Sequence, residues 1–509
     1  MASLIESPAS LRRSAGILLH PTSLPGPLGV GDLGPASIAF LDWAASAGQS
    51  LWQVLPLGPT GHGNSPYACL SSFAGNPLLI SPQLLLAEGF AEPSDLRDIP
   101  RFPTQHVAFE DVVAWKDGLL RRCSERFFRH AEPGRLEELD SFALHPDQVP
   151  WIEDWALYCA LKSLLGGKAW TEWPKPLRLR QPGALSEARR ELAGEICHHK
   201  FLQFVFSLQW GRLRREANSR GILILGDIPI YAALDSADVW ANAHLFYLDA
   251  RGRPEEVAGV PPDYFSPTGQ LWGNPLYHWD RMEREGFSWW IERIRANLRL
   301  VDILRLDHFR GFVDYWGIPA TEQSAANGRW MAGPGAPFFE AVRMALGSLP
   351  LVAEDLGLIT PAVTDLRRAL GLPGMRVLQF AFTGEETNDN LPHRHEDLAI
   401  VYTGTHDNDT TRGWFDSLSD VEKARVLHYI HGKPETVPWD MIGTAYQSPS
   451  RMAIVPFQDV LGLGSEARMN TPGIPGGNWR WRALEEHYTP ELAGRLRTLA
   501  RRWGRPGST

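Results

Sequence analysis

The chain has 509 residues, with 50 Lys and Arg against 59 Asp and Glu, a net charge of −9 carried by intermixed signs, and an ordinary globular composition. That length exceeds what one simple core holds, so a large barrel with insertions, or roughly two to three domains, is expected. No basic stretch marks a nucleic-acid partner, and no run approaches the roughly 20 apolar residues that a membrane span needs.

Cys69, Cys123, Cys159 and Cys197 lack Cys-x-x-Cys spacing. The apolar run at 15–19 is too short for a secretory signal, so reduced thiols in a cytoplasmic protein are expected. The 20 Trp are the unusual count. A broad flat ring with one N–H suits both cores and sugar-ring ligands. The pairs Trp151/Trp155, Trp170/Trp173, Trp289/Trp290 and Trp479/Trp481 read as packing, whereas Trp272, among Gly and Pro, reads as a ligand contact.

In chain order, the apolar run Gly16-Ile17-Leu18-Leu19 ends at a rigid His20-Pro21 loop, as a buried strand does at a surface. Residues 38–47 have helical periodicity closed by Gly48, and a second strand over 51–57 leads to the loop Gly63-Asn64-Ser65-Pro66-Tyr67. Residues 68–216 contain no comparable strand-plus-loop unit. Helices over 110–130, 153–165 and 184–218 make this a mainly helical insertion, between a first barrel part (1–67) and the rest of the barrel (217–509).

The strand pattern resumes over 221–231, with Asp227 at its end. Residues 259–275, rich in Gly, Pro and aromatics, form a long loop that reads as a lid. A helix over 288–300 then leads to Val301-Asp302-Ile303-Leu304-Arg305-Leu306-Asp307-His308. Because side chains alternate along a strand, Ile303, Arg305 and Asp307 face one way and Leu304 and Leu306 the other. An inward charge needs a partner, and Arg305 offers one that favours the ionised form of Asp307. Helix over 338–346, strand at 351–353 into Glu354, helix over 361–370, strand at 374–380, strand at 398–403 into His406-Asp407, and strand at 452–456 before Asp459 complete the series. Eight such runs, most with helices between and polar residues at the carboxyl end, predict a (β/α)8 TIM barrel with its site at those ends.

Converging carboxylates repel one another, a cost that a purely structural site avoids. Two chemistries use such a set. In glycoside chemistry, one carboxylate attacks or stabilises an oxocarbenium-like sugar while a protonated one donates to the leaving oxygen. In the other, carboxylates hold a divalent metal beside a general base. Arg305 would repel a dication two residues from its ligand, and His406, without a second well-spaced histidine, fits a sugar hydroxyl better than a metal. No metal or cofactor is therefore expected. His308 suits a core position and a sugar contact equally.

The segments Arg305-Leu306-Asp307-His308-Phe309, Ala353-Glu354-Asp355-Leu356-Gly357, Thr403-Gly404-Thr405-His406-Asp407-Asn408, Asn64-Ser65-Pro66-Tyr67 and Gly259-Val260-Pro261-Pro262-Asp263-Tyr264-Phe265 together resemble the motifs of glycoside hydrolase family 77, the 4-α-glucanotransferases, in the family's order over most of the chain. The resemblance implies transfer of α-1,4-glucan segments from a donor to glucose or a maltooligosaccharide, with Asp307 as nucleophile, Glu354 as general acid/base and Asp407 as transition-state stabiliser. It implies that Arg305 and His406 hold the sugar at the cleavage point, that Tyr67 stacks nearby, that Trp272 shapes the acceptor side, and that Asp227, Asp263 and His308 are further substrate contacts. The helical insertion would lengthen the glucan groove, and no obligatory protein partner is expected. A retaining α-glucan hydrolase, a metal-dependent lyase and a glucan-binding barrel without catalysis are the alternatives.

Overall fold

Short apolar runs become the strands of a computed structural model that describes residues 12–262, 268–474 and 476–507. In chain order they are β1 (Ser14–Leu18), β2 (Leu51–Gln53), β3 (Leu223–Ile228), β4 (Glu256–Val260), β5 (Gln270–Pro275), β6 (Ile303–Leu306), β7 (Asp314–Pro319), β8 (Arg329–Ala332), β9 (Leu351–Ala353), β10 (Gly374–Val377), β11 (Ala399–Tyr402) and β12 (Met452–Pro456). Eight of them pair in parallel in the order β10-β11-β12-β1-β2-β3-β6-β9. Where β9 meets β10, the Ala353 N–H donates to the Pro373 carbonyl at 2.9 Å, bringing the ends of the sheet together as a barrel. These are the runs read as barrel strands from the sequence.

The two faces of each strand are divided as alternation requires. Leu18, Leu51, Leu225, Ile303, Val352, Met375, Ile400, Met452 and Ile454 fill the interior, while Leu304, Leu306, Leu351 and Val401 face the surrounding helices. Helix Pro35–Ser46 is one of those helices, and Gly48 at φ +70° turns the chain after it into β2. A non-glycine residue adopts that left-handed conformation only at a cost.

Between β2 and β3 the helices Phe109–His130, Pro133–Ala143, Ile152–Leu164, Pro182–Glu191 and Ala193–Ser219 follow one another. The stretch 184–218 is two helices, broken at Leu192 (φ −103°, ψ 18°) just before Gly194, a weak helix former. The second of the two runs back along the barrel, where the Trp210 indole donates to the Leu300 carbonyl at 2.8 Å. Trp155, Trp170, Trp173 and Trp290 are buried, so these tryptophans pack the core.

The described residues of the stretch 259–275 include parts of two strands. β4 and β5 sit in a four-stranded antiparallel sheet, in the order β5-β4-β7-β8, beside the carboxyl ends of β3 and β6. Its Gly- and Pro-containing strands lack clean alternation, and the pairing of β4 with β7 joins segments about 60 residues apart, so no local pattern announces the sheet.

At the amino ends of the strands, Arg505 is wholly buried and donates to the carbonyls of Ser14, Tyr446, Ser448, Ser450 and Arg451. Arg505→Met removes all five of these bonds, which the Arg13 guanidinium and the Ser14 N–H replace only in part, and should cost about 3 kcal/mol of stability. Earlier thermal loss of circular dichroism is the expected result.

Among the described residues, no helix is long and apolar enough to cross a membrane.

Candidate active site

The carboxyl ends of β3, β6 and β9 meet side by side, and register decides what faces what. Asp227 pairs with Arg305 across β3 and β6, and Leu306 pairs with Ala353 across β6 and β9, so Asp307 and Glu354 follow at adjacent strand ends. Arg305 is buried, and its guanidinium bridges two acids, with Nη1 to Asp227 Oδ2 at 2.5 Å and Nη2 to Asp307 Oδ1 at 2.9 Å. The two acids differ in access. The Asp227 side chain is 0% exposed and accepts a second hydrogen bond from the Tyr67 hydroxyl at 2.6 Å, whereas that of Asp307 is 28% exposed. Asp227 thus braces Arg305 and Tyr67 from below, and Asp307 presents its carboxylate to the opening.

Glu354 is treated differently. Burial pushes its carboxyl up to about 7; the Arg305 charge opposes the shift, the negative charge of Asp307 adds to it, and two backbone N–H groups oppose it. Those are Leu356 N–H to Oε1 at 2.8 Å and His308 N–H to Oε2 at 2.7 Å. With one amide on each oxygen the carboxyl plane is fixed, and near neutral pH the group can hold a proton for transfer.

Asp407 follows β11. One of its oxygens lies 3.4 Å from His406 Nε2, and the other accepts from Asn470 Nδ2 at 2.6 Å. The Asp407 backbone carbonyl accepts from Arg468 at 2.6 Å, so the segment after β12 holds this acid from both side chain and main chain. The buried His406 ring stacks on Tyr67 with centroids 5.0 Å apart and planes 13° apart, and Trp479 closes the group at 5.9 Å from each ring. Burial first, then Asp227, Asp307 and Asp407, hold the Tyr67 hydroxyl protonated against the opposing charge of Arg305. Tyr67 therefore lies within electrostatic reach of the acids that follow both β6 and β11.

Trp272 projects from β5 beside this opening, 37% exposed, with its ring edge-on to His308 at 4.9 Å. His308 has φ +51°, and burial lowers its imidazole to about 4, so it is neutral near pH 7. The structure thus gathers Tyr67, Asp227, Trp272, Arg305, Asp307, His308, Glu354, His406 and Asp407 around one rim. Asp263 lies outside the described residues. Asp459, the other acid at a strand end, is buried away from the opening, accepting from Thr403 Oγ1 and from the Thr411 N–H and Oγ1 at 2.5–2.7 Å. It caps helix Thr411–Ser417 against β11 and has no part in the rim.

Sequence reasoning missed Asn470 and Arg468 and placed Trp479 among packing residues. The turn Asn470-Thr471-Pro472-Gly473 is the only local signal, and it says nothing of Asp407. His20, read only as a loop start, is buried with Nδ1 accepting the Leu55 N–H at 3.3 Å; burial, then the neighbouring His406, lower its imidazole to about 3.

A parallel barrel with a glutamic acid held near neutrality beside an arginine-paired aspartate, at the carboxyl ends of its strands, defines a glycoside-processing enzyme that works with two carboxyl groups. Comparison with known proteins narrows that class. Residues 19–486 match the 4-alpha-glucanotransferase family, glycoside hydrolase family 77. The chain is 50% identical to the 4-alpha-glucanotransferase of Thermus thermophilus over 96% of its own length and 98% of that protein's, and 47% identical to that of Synechocystis over 97% and 98%. The solved amylomaltase of Streptococcus agalactiae, in complex with acarbose, superposes with a TM-score of 0.94 at 37% identity, covering 97% of this chain and 100% of that one. The chain belongs to the 4-alpha-glucanotransferase family, and its activity is transfer of α-1,4-glucan segments.

Proposed function

We propose that this enzyme moves glucan segments between maltooligosaccharides by a retaining double displacement at the rim of β6, β9 and β11. Asp307 attacks the anomeric carbon while Glu354 gives its proton to the leaving glucan oxygen. Glu354 then removes the proton from the 4-hydroxyl of an incoming sugar, which displaces Asp307. Asp407 stabilises the positive charge that develops on the sugar, and Arg305 and His406 hold the hydroxyls around the reacting carbon. The observation that carries this reading is the unequal treatment of two adjacent acids: Asp307 is ion-paired to a buried guanidinium, while burial lifts Glu354 to about 7. Neighbouring strand ends also suit the separation of about 5–5.5 Å that a retaining pair uses, rather than the wider gap of an inverting one.

Transfer prevails over hydrolysis when a sugar occupies the acceptor position ahead of water. Tyr67 and Trp272 offer aromatic surfaces for that sugar on two sides of the opening, and the helices between β2 and β3, taken as an insertion over residues 68–216, would extend the groove for longer chains. Free thiols at Cys69, Cys123, Cys159 and Cys197 support a reducing, cytoplasmic location. Incubation with maltotriose should give glucose together with a ladder of shorter and longer oligosaccharides. Glucose and maltose alone would mean that water is the acceptor and that the enzyme is a hydrolase.

A further inference from the structure

The turn Phe309–Phe312, together with His308 before it, leads away from Asp307 and lies between the four-stranded sheet and Glu354. On the sheet side, the Trp272 ring meets the His308 ring edge-on at 4.9 Å, and the Arg310 guanidinium lies over the Trp330 ring at 3.6 Å while bonding Asp314 at 2.6 Å. The base of the sheet is pressed onto the same turn, since a Cβ on Gly333 would stand 2.5 Å from the backbone of Phe312, and the Gly333 N–H donates to the Val313 carbonyl at 2.8 Å. On the acid side, the His308 N–H reaches Glu354 Oε2 at 2.7 Å, the Phe309 N–H reaches the Glu354 carbonyl at 3.0 Å, and Arg310 donates to the Leu358 carbonyl just beyond Glu354.

His308 donates its N–H to Glu354 and itself has a left-handed backbone conformation, at φ +51°, which is uncommon for a non-glycine residue. The Asp307 N–H to the Ile228 carbonyl and the Gly311 N–H to the His308 carbonyl fix the backbone on either side, and among the described residues Trp272 touches the His308 ring from the sheet.

We propose that the turn is a positioning device: Trp272 on β5 braces His308, and the braced His308 holds the Glu354 carboxyl in the plane from which it delivers its proton. This rests on the reading of Glu354 as the general acid. Trp272 and His308 act here as positioning residues, through Glu354, in addition to any contact with sugar.

The test uses a series of aryl α-maltosides whose leaving groups run from 2,4-dinitrophenol, which departs unaided as an anion, to phenol, which needs the proton. In Trp272→Ala and in His308→Ala, kcat/KM should fall about tenfold for the phenyl donor and less than about threefold for the dinitrophenyl donor, the signature of misaligned proton donation rather than lost binding. Trp272→Phe should restore the wild-type dependence. Trp272→Ala/His308→Ala should be no worse than the poorer single variant, since both act through one contact. A loss uniform across the series, or losses that multiply in the double variant, would overturn the proposal. Glu354→Ala separates the two levels. If it shows no leaving-group dependence, the general-acid reading falls and takes the inference with it; if it shows a steep one while Trp272→Ala shows none, only the positioning role falls.

Discussion

Asp307→Asn should lower transfer from maltotriose by about 10^5-fold in kcat while leaving glucan binding measurable by calorimetry, because an amide cannot form the glycosyl ester on which double displacement depends. The fold gives no reason for a structural collapse. Asn is nearly isosteric, Asp307 is partly exposed, and Arg305 keeps its 2.5 Å contact with the sealed Asp227. Asp227 therefore leaves the guanidinium in place when the nucleophile is neutralised, and the loss measured reports chemistry. Turnover within about tenfold of wild type would mean that another group attacks the sugar, since the amide in Asp307→Asn is no nucleophile for it.

Arg305 shows how far such a site can be read from a linear chain. Its partnership with Asp307 is legible, because two charges on one face of one strand have to meet. Its partnership with Asp227 is not, because it depends on β3 lying next to β6 at one particular register across some 78 residues of intervening chain. The same distinction runs through the molecule. The barrel strands announce themselves as continuous apolar runs because both of their faces are covered, and Asp307 and Glu354 directly follow such runs, while Asp227 lies within one and Asp407 five residues beyond another. The sheet β5-β4-β7-β8 has Gly- and Pro-containing strands, and its central pairing, β4 with β7, joins segments far apart in sequence. Asn470 and Trp479 reach the site from a segment well beyond β12, through contacts to Asp407, His406 and Tyr67 that exist only once the barrel has closed. Asp227 and Asp459 look alike as acids at strand ends. Only their partners, a catalytic-rim arginine for one and two threonines for the other, tell them apart.

The same electrostatics make Glu354 the residue whose replacement is most informative. As the acid of the first step it must carry a proton, so kcat/KM for maltotriose should be full below about 7 and fall tenfold per pH unit above it. Burial lifts the group, and the charge of Asp307 adds to the lift. When Asp307 becomes a neutral ester in the glycosyl-enzyme, that contribution disappears while Arg305 and the amides of His308 and Leu356 remain. On the proposed mechanism the carboxyl should then fall below its resting value and ionise, ready to take the acceptor's proton. In the proposed mechanism one side chain thus serves as acid and then as base because its neighbour changes charge. Glu354→Gln, which has no proton to give and none to take, should lose about 10^3-fold with maltotriose and should also lose the alkaline limb near 7. Maltosyl fluoride, whose leaving group needs no acid, should still form the glycosyl-enzyme in Glu354→Ala, and added azide should intercept it as maltosyl azide of retained α configuration. An alkaline limb that survives in Glu354→Gln would assign the group near 7 to another residue, and a β-configured azide would show that no ester on Asp307 had formed.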